Sequence, residues 1–336
     1  MSCYNPKHGF VTGITKNGKP QLRILENRYL SIDSRGVPST LAGHEEDGDY
    51  VNYYLIPCGH CLGCRQDQAN EWTNRLLMES KYHDSMYFIT LTYDDDHLHG
   101  VAWTDEDTGE FHGGYTLDKR DCQLFFKLLR RHFPDDKIRF YLAGEYGPTS
   151  GRPHYHTIVF GLHVDDLVPF GVSETGSQYY VSESVANCWK RGFISIEPAN
   201  EFTIRYVTGY VTKKLGVYPN EQFEREGLVP PFSLSSRKPG IGRQFLDENA
   251  QDIIQKDRIV LSTPNGSVQC GIPRYFLKAL SDNGYESEIR ERSARKVKNA
   301  NAAIDSISAY SDLDNLDQLK IKERNHKKRA AMRGKV

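Results

Sequence analysis

Arg152-Pro153-His154-Tyr155-His156 carries two histidines two residues apart. On a β-strand that spacing points both imidazoles to one face, where they can share a single divalent metal ion. Further along the chain stands Tyr206-Val207-Thr208-Gly209-Tyr210-Val211-Thr212-Lys213-Lys214. A helical Tyr-x-x-x-Tyr-x-x-Lys places two phenols and an ammonium group near one another. A metal that polarises a phosphodiester and a tyrosine that attacks its phosphorus make phosphoryl transfer the chemistry to expect. With a reference pKa near 10, only about one phenol in a thousand is ionised at pH 7, a deficit of roughly 4 kcal/mol. Lys213, three residues after Tyr210, can stabilise a phenolate or the developing phosphate charge, and Lys214 is the lesser candidate. Each motif also has a plainer use: histidines hydrogen-bonded at a sheet edge, an aromatic pair on an exposed helix, solvated lysines near a helix C-terminus.

The surrounding residues predict elements that would position these groups. Lys137 to Tyr146 and the run ending Thr157-Ile158-Val159-Phe160 read as strands, and Gly147-Pro148-Thr149-Ser150-Gly151 between them is turn chemistry. The resulting hairpin returns Glu145 beside His154. Two imidazoles and a carboxylate suit Mg²⁺ or Mn²⁺ with positions left open for substrate oxygens. Asn200 is a candidate N-cap for a helix whose Ile204, Val207, Val211 and Leu215 recur at spacings of three and four. That stripe leaves Tyr206, Tyr210 and Lys213 roughly on the opposite side. Upstream, Arg65 to Tyr82 predicts an amphipathic helix, Met86 to Tyr93 a strand, and Asp94-Asp95-Asp96 an acidic loop. Residues 97–115 read as a Gly-rich excursion. Thr116 to Phe133 predicts a helix with Phe125, Leu128, Leu129 and His132 on one packed face. A helix near Ser182 to Lys190 and a strand at Phe193 to Glu197 follow. Helices alternating with hairpin-linked strands predict an α+β fold around a central antiparallel sheet.

Seven cysteines include the tight series Cys58-x-x-Cys61-x-x-Cys64. An odd total in a chain without an apolar leader argues against a disulfide framework. Three thiolates need a fourth ligand for a structural, tetrahedral Zn²⁺. Cys3 is preferred, because the tie would anchor an amino-terminal arm (residues 3–57) short of core-forming pattern; His60 competes. An iron–sulfur cluster is a minor variant. Cys122, Cys188 and Cys270 read as core or incidental thiols.

In order, Phe88-Ile89-Thr90-Leu91-Thr92-Tyr93, His154-Tyr155-His156 and Tyr206-x-x-x-Tyr210-x-x-Lys213 resemble the three motifs of HUH endonucleases, the rolling-circle replication initiators. The tyrosine pair resembles the double-tyrosine branch. Pro57-Cys58-Gly59-His60-Cys61-Leu62-Gly63-Cys64-Arg65, Gly144-Glu145-Tyr146-Gly147 and Pro239-Gly240-Ile241-Gly242 extend the resemblance to initiators of Microviridae phages of the gokushovirus type, from about Cys3 to Tyr275. Tyr155 departs from the more common aliphatic residue, on the side facing away from the metal. The resemblance implies an HUH core with central antiparallel sheet flanked by helices, plus the Cys-rich arm and a C-terminal extension. It also implies nicking of one strand at an origin, a 5′-phosphotyrosine intermediate, a 3′-OH that primes host synthesis, and second-tyrosine attack that closes a single-stranded circle. Partners implied are single-stranded and origin DNA with host helicase and polymerase, in the cytoplasm of an infected bacterium.

Composition is compatible with this reading and does not select it. The chain has 336 residues, 38% hydrophobic, with formal net charge −1. No apolar run approaches the roughly 18 residues of a membrane span, and the opening MSCYNPKHG lacks a signal peptide's apolar segment. Residues 290–336 hold 13 Lys and Arg against 6 Asp and Glu, a local excess suited to phosphates or to a solvated end. The expected segments are a Cys-bearing arm with a helix (1–85), the nuclease core (86–217), an extension with possible DNA contacts (218–289), and a basic helix-prone or disordered tail (290–336). Arg237-Lys238-Pro239-Gly240-Ile241-Gly242-Arg243 is a basic turn whose glycines would permit close approach to a phosphate backbone, and Arg274, Tyr275 and Phe276 either meet single-stranded DNA or belong to a folded extension. Two other readings stay open: a plasmid or transposon relaxase with the same chemistry, and a non-enzymatic, zinc-stabilised single-stranded DNA-binding module. The lack of a Gly-x-x-x-x-Gly-Lys-Ser/Thr loop favours a compact initiator served by a separate helicase.

Overall fold

The computed structural model describes residues 3–14, 20–25, 53–172, 176–214, 220–263, 266–308 and 315–333. It divides into two compact units, one of Met1–Asp67 with Leu277–Val336 and one of Gln68–Phe276. The arm and the tail, separate segments by sequence, thus belong to one unit. That unit contains a three-stranded antiparallel sheet of β1 (Lys7–Ile14), β2 (Pro20–Leu25) and β3 (Tyr53–Ile56), in the order β2-β1-β3. The unit boundary falls within α1 (Leu62–Glu79), which starts three residues before the expected helix and gives way at Ser80–Tyr82 to a 3₁₀ turn.

The second unit is built on a seven-stranded sheet. In chain order its strands are β4 (Met86–Thr92), then, after the hairpin of β5 (His99–Thr104) and β6 (Phe111–Thr116), β7 (Arg139–Tyr146), β8 (Pro153–Phe160), β9 (Val168–Val172), β10 (Gln178–Val181), β11 (Ile194–Pro198) and β12 (Phe232–Ser235). They lie in the order β12-β7-β8-β4-β11-β10-β9 with every neighbouring pair antiparallel. This is the expected α+β arrangement of a large antiparallel sheet flanked by helices. The helices are α2 (Lys119–His132), α3 (Glu183–Trp189), α4 (Glu201–Lys214), α5 (Asn220–Arg225) and α6 (Arg243–Lys256). After the two-stranded β13 (Ile259–Thr263) and β14 (Gly266–Cys270), the chain continues as α7 (Arg274–Asp282), α8 (Glu286–Ser308) and α9 (Asn315–Arg333).

Strand periodicity decides which residues meet which helices. On one face Ile89, Leu91, Leu142, Tyr155 and Val159 pack with Phe125, Phe126 and Leu129 of α2 and Val185 and Trp189 of α3. On the other, Phe88, Tyr141, Ala143, Ile158 and Phe160 pack with Leu76 of α1 and Ile204 and Val207 of α4. Covered on both sides, β8 is buried almost throughout, which is why it reads as a continuous apolar run rather than an alternation. Local capping sets the helix starts: the Asp118 carboxylate accepts the Asp121 N–H at 3.3 Å, and the Ser182 hydroxyl accepts the Val185 N–H at 3.1 Å.

Several expectations need correction. Residues 97–115 are mostly the β5–β6 hairpin, whose alternating half-exposed residues and glycines weaken the strand signal. His132 is exposed at the end of α2, with only its ring edge on Phe133, 5.0 Å between centroids. The glycines of the basic turn serve internal packing. A Cβ on Gly240 would sit 2.7 Å from the Tyr275 ring, and Gly242, at φ 78°, donates its N–H to Glu79 Oε2 at 2.6 Å. Tyr275 meanwhile stacks under the Arg75 guanidinium and Phe276 is fully buried, which places both in the folded extension. The described part of the tail is helical.

Trp189 ties this core together, since it is fully buried among Tyr93, Phe125 and Tyr155 and its indole N–H donates to Thr92 O at 2.8 Å. Trp189→Ala should cost about 3–5 kcal/mol in urea unfolding through the cavity and the orphaned carbonyl, and a loss below about 1 kcal/mol would contradict this packing.

Candidate active site

Pairing of β7 with β8 sets Glu145 directly opposite His154, and pairing of β8 with β4 sets His156 opposite Thr90. Glu145, His154 and His156 therefore share one face, and one ligand atom from each lies within 4.8 Å of the others. His154 Nε2 is 3.0 Å and His156 Nε2 3.3 Å from the same Glu145 oxygen, Oε1. Second contacts orient both rings. His154 Nδ1 donates to the Arg152 carbonyl at 3.1 Å, which leaves its Nε2 lone pair facing Glu145. His156 Nδ1 lies 3.0 Å from the Thr90 hydroxyl, and Phe88 stacks on its ring at 5.4 Å between centroids. Arg152 is held in turn: its guanidinium donates to Tyr93 O at 2.9 Å and pairs with Asp95 at 2.7 Å. The acidic loop thus braces the turn ahead of the histidines.

Burial shapes the charge at this site. Desolvation alone would raise the Glu145 carboxyl, but hydrogen bonds from His154 and His156 outweigh it and hold the group below the usual carboxylate range. Desolvation lowers His156, partly opposed by its hydrogen bond to Glu145, so the buried ring favours the neutral form that ligates metals.

The donor set fits a hard divalent cation. Two imidazole nitrogens and a carboxylate are chemistry for Mg²⁺ or Mn²⁺. The 3.0 and 3.3 Å separations are near the ligand-to-ligand edge of about 3.0 Å expected at right angles for bonds of roughly 2.1 Å. Glu145 Oε2 is buried without a hydrogen-bond partner, the state of an oxygen suited to a cation.

The α4 helix brings Tyr206 to this face. Asn200 caps it as expected, its side-chain oxygen accepting the Phe202 N–H at 2.8 Å and the Thr203 N–H at 3.1 Å, while Thr203 Oγ1 accepts the Asn200 N–H at 2.8 Å. Ile204 and Val207 are fully buried, and Thr208 bonds Thr73 of α1 at 2.7 Å, fixing the helix's rotation. Tyr206 then lies on the flank of the buried stripe rather than opposite it. Its ring meets His156 edge-on at 5.5 Å and Phe88 at 5.9 Å, and it remains 44% exposed, open toward a substrate. Tyr210 and Lys213 occupy the later turns of α4, but their side chains, and those of Val211 and Lys214, lie outside the described residues, as does Leu215.

In the other unit, Cys3, Cys58, Cys61 and Cys64 converge within 4.8 Å. His60 is exposed and outside that group. Cys122 and Cys188 are buried core thiols and Cys270 is half-buried. Sequence reasoning did not assign roles to Thr90, Phe88 or the Arg152 carbonyl. The signal for the first two is the period-two series Phe88, Thr90, Thr92, which faces the same way as the histidines.

Residues 86–215 match a family of replication-associated proteins, described by its member ORF2. Along 96% of its length the chain is 30% identical to replication-associated protein ORF2 of Spiroplasma virus 4, covering 95% of that protein. It is 31% identical to replication-associated protein VP4 of Bdellovibrio phage phiMH2K over 74% of this chain and 75% of the phage protein. It is 29% identical to replication-associated protein ORF4 of Chlamydia phage 1 over 71% of this chain and 59% of that protein. No solved structure gives a significant match.

The buried hydroxyl pair between α1 and α4 can be tested directly. Thr208→Val keeps the side chain's shape but strands the Thr73 hydroxyl, so urea unfolding should show a loss of about 1–3 kcal/mol. An unchanged stability would mean that apolar packing alone sets the rotation of the helix.

Proposed function

Since the chain belongs to the ORF2 family of replication-associated proteins, we propose that it initiates replication of a phage genome by nicking one DNA strand at the origin, as an HUH-type endonuclease. The observation that carries this reading is the convergence of Glu145, His154 and His156 on one sheet face, with the Tyr206 ring 5.5 Å from His156. A Mg²⁺ or Mn²⁺ ion held by those three residues would polarise the scissile phosphodiester and neutralise charge on its oxygens. The chain's own groups do the rest. The Tyr206 hydroxyl attacks phosphorus, the phenol proton is given up, and the bond to the 3′ oxygen breaks, leaving a 5′-phosphotyrosine and a free 3′-OH. One phosphoester replaces another, so no nucleotide triphosphate is consumed. Tyr210, one helical turn on, repeats the attack at the regenerated origin, while the released 3′-OH attacks the first adduct and closes the circle. Lys213 supplies positive charge near the second phenol. Single-stranded and origin DNA are the substrates, and host helicase and polymerase use the exposed 3′ end in the cytoplasm of the infected bacterium. Among the described residues no helix is long and apolar enough to cross a membrane.

The test is an origin-containing single-stranded oligonucleotide incubated with the protein and Mn²⁺, then resolved under denaturing conditions. A covalent adduct is expected, mapping to Tyr206 or Tyr210, and a double Tyr→Phe variant should bind DNA without forming one. Adducts at neither residue would leave only a DNA-binding module. His154→Ala and His156→Ala should each lower cleavage by at least about 100-fold while sparing most nonspecific retention, which rests on phosphate contacts elsewhere. Unchanged metal-dependent cleavage in both variants would remove the proposed metal face. For Glu145→Gln, Mn²⁺ affinity measured by calorimetry should fall by roughly tenfold or more.

A further inference from the structure

The unit formed by residues 1–67 and 277–336 holds a second constellation, separate from the nicking chemistry. Strand pairing explains how its members meet. Lys7 of β1 pairs with Ile56 of β3 in antiparallel register, so the residues just before β1 run alongside those just after β3. This brings Cys3 to Cys58, Cys61 and Cys64, which sit in the turn that becomes α1.

The sulfurs are arranged for a metal rather than for disulfides. All four are free, and Cys61 Sγ lies 3.9 Å from Cys3 Sγ, against the roughly 2.05 Å of an S–S bond. A tetrahedral zinc with Zn–S bonds of about 2.3 Å has S···S edges near 3.8 Å. Backbone N–H groups also point at sulfur: Tyr4 at Cys61, Cys58 at Cys3 and Cys61 at Cys58, each at 3.3 Å. Such donors favour the thiolate over the thiol.

Tyr4 adds what the cysteine spacing does not predict. Its N–H serves Cys61 Sγ, while its hydroxyl lies 2.8 Å from His326 Nδ1 of α9 and the two rings meet edge-on at 6.0 Å. The α9 helix carries seven Lys and Arg against two Asp and Glu. A zinc tetrathiolate carries a formal charge of −2, the complement of that helix. We propose that Cys3, Cys58, Cys61 and Cys64 bind one structural zinc ion, and that Tyr4 uses this node to seat the basic helix α9 through His326. Binding exchanges four S–H protons for one Zn²⁺, with no change of oxidation state.

Full-length protein purified under reducing conditions should contain about one zinc per chain by elemental analysis, and Cys3→Ser or Cys61→Ser should lose most of it. Absence of zinc, or iron in its place, overturns the metal assignment. Hydrogen–deuterium exchange reads the seating. Tyr4→Phe should keep its zinc yet exchange faster across residues 315–333, by up to roughly tenfold, because it lacks only the hydroxyl bond to His326. Unaltered exchange across those residues in both Tyr4→Phe and Cys3→Ser would overturn the seating. Because neither readout uses DNA cleavage, failure here is distinguishable from failure of the nicking mechanism.

Discussion

Antiparallel register between β7 and β8 is the constraint on which the rest depends. It sets Glu145 opposite His154, Ala143 opposite His156 and Leu142 opposite Thr157. A slip of one residue would turn His154 and His156 into the face packed by α2 and α3, and Tyr155 toward α4. That slip is opposed from both sides at once. Tyr155, fully buried, bonds Tyr93 Oη at 2.9 Å and meets the backbone of Asp118, while Ile158 and Phe160 are buried beneath α1 and α4. The small side chain of Ala143 leaves the space that His156 needs. The metal face is therefore positioned by packing on the reverse of the sheet as much as by its own contacts.

Two buried carboxylates show how similar clusters serve different ends. Asp121 is grouped with His99 and Asp118 much as Glu145 is grouped with its histidines. Yet Asp121 already has its cation: Arg191 Nε sits 2.8 Å from Oδ1, and Tyr93 Oη and His99 Nε2 reach Oδ2 at 2.9 and 2.8 Å. Both oxygens that burial strips of water have been answered, so the group braces α2 against β4. Glu145 keeps one oxygen without a hydrogen-bond partner and has two imidazoles beside it, of which His156 favours the neutral form. The difference separates a structural carboxylate from one suited to ligation.

Much of this was legible in the sequence where signals are local. Turn residues 147–151 announced the β7–β8 hairpin, and the two-residue period fixed the face of His154 and His156. The Asn200 cap and the Ile204–Val207 spacing located α4. Legibility failed where tertiary contacts decide. Gly240 and Gly242 look like a phosphate-binding turn, but their freedom is used for the Tyr275 ring and the Glu79 carboxylate, residues far away in the chain. His132 continues the helical stripe of Phe125 and Leu129, yet α2 ends there and the ring has left the core. The orienting roles of Thr90 and the Arg152 carbonyl needed cross-strand register, which no single segment encodes. Tyr206 falls on the flank of α4 because the Thr208–Thr73 bond and Val207 set its rotation together.

One unit is assembled from the two ends of the chain, with Gln68–Phe276 lying between them in sequence. During synthesis Cys3 and the Cys58–Cys64 turn emerge early, whereas His326 follows only after the whole intervening sheet has been made. The seven-stranded unit has all its residues available first and can reach its native register while the other still lacks its helices. Vectorial synthesis thus imposes an order of maturation: the catalytic face can form before the partner unit closes around Tyr4, and fragments ending before residue 315 would retain the former while leaving the latter incomplete.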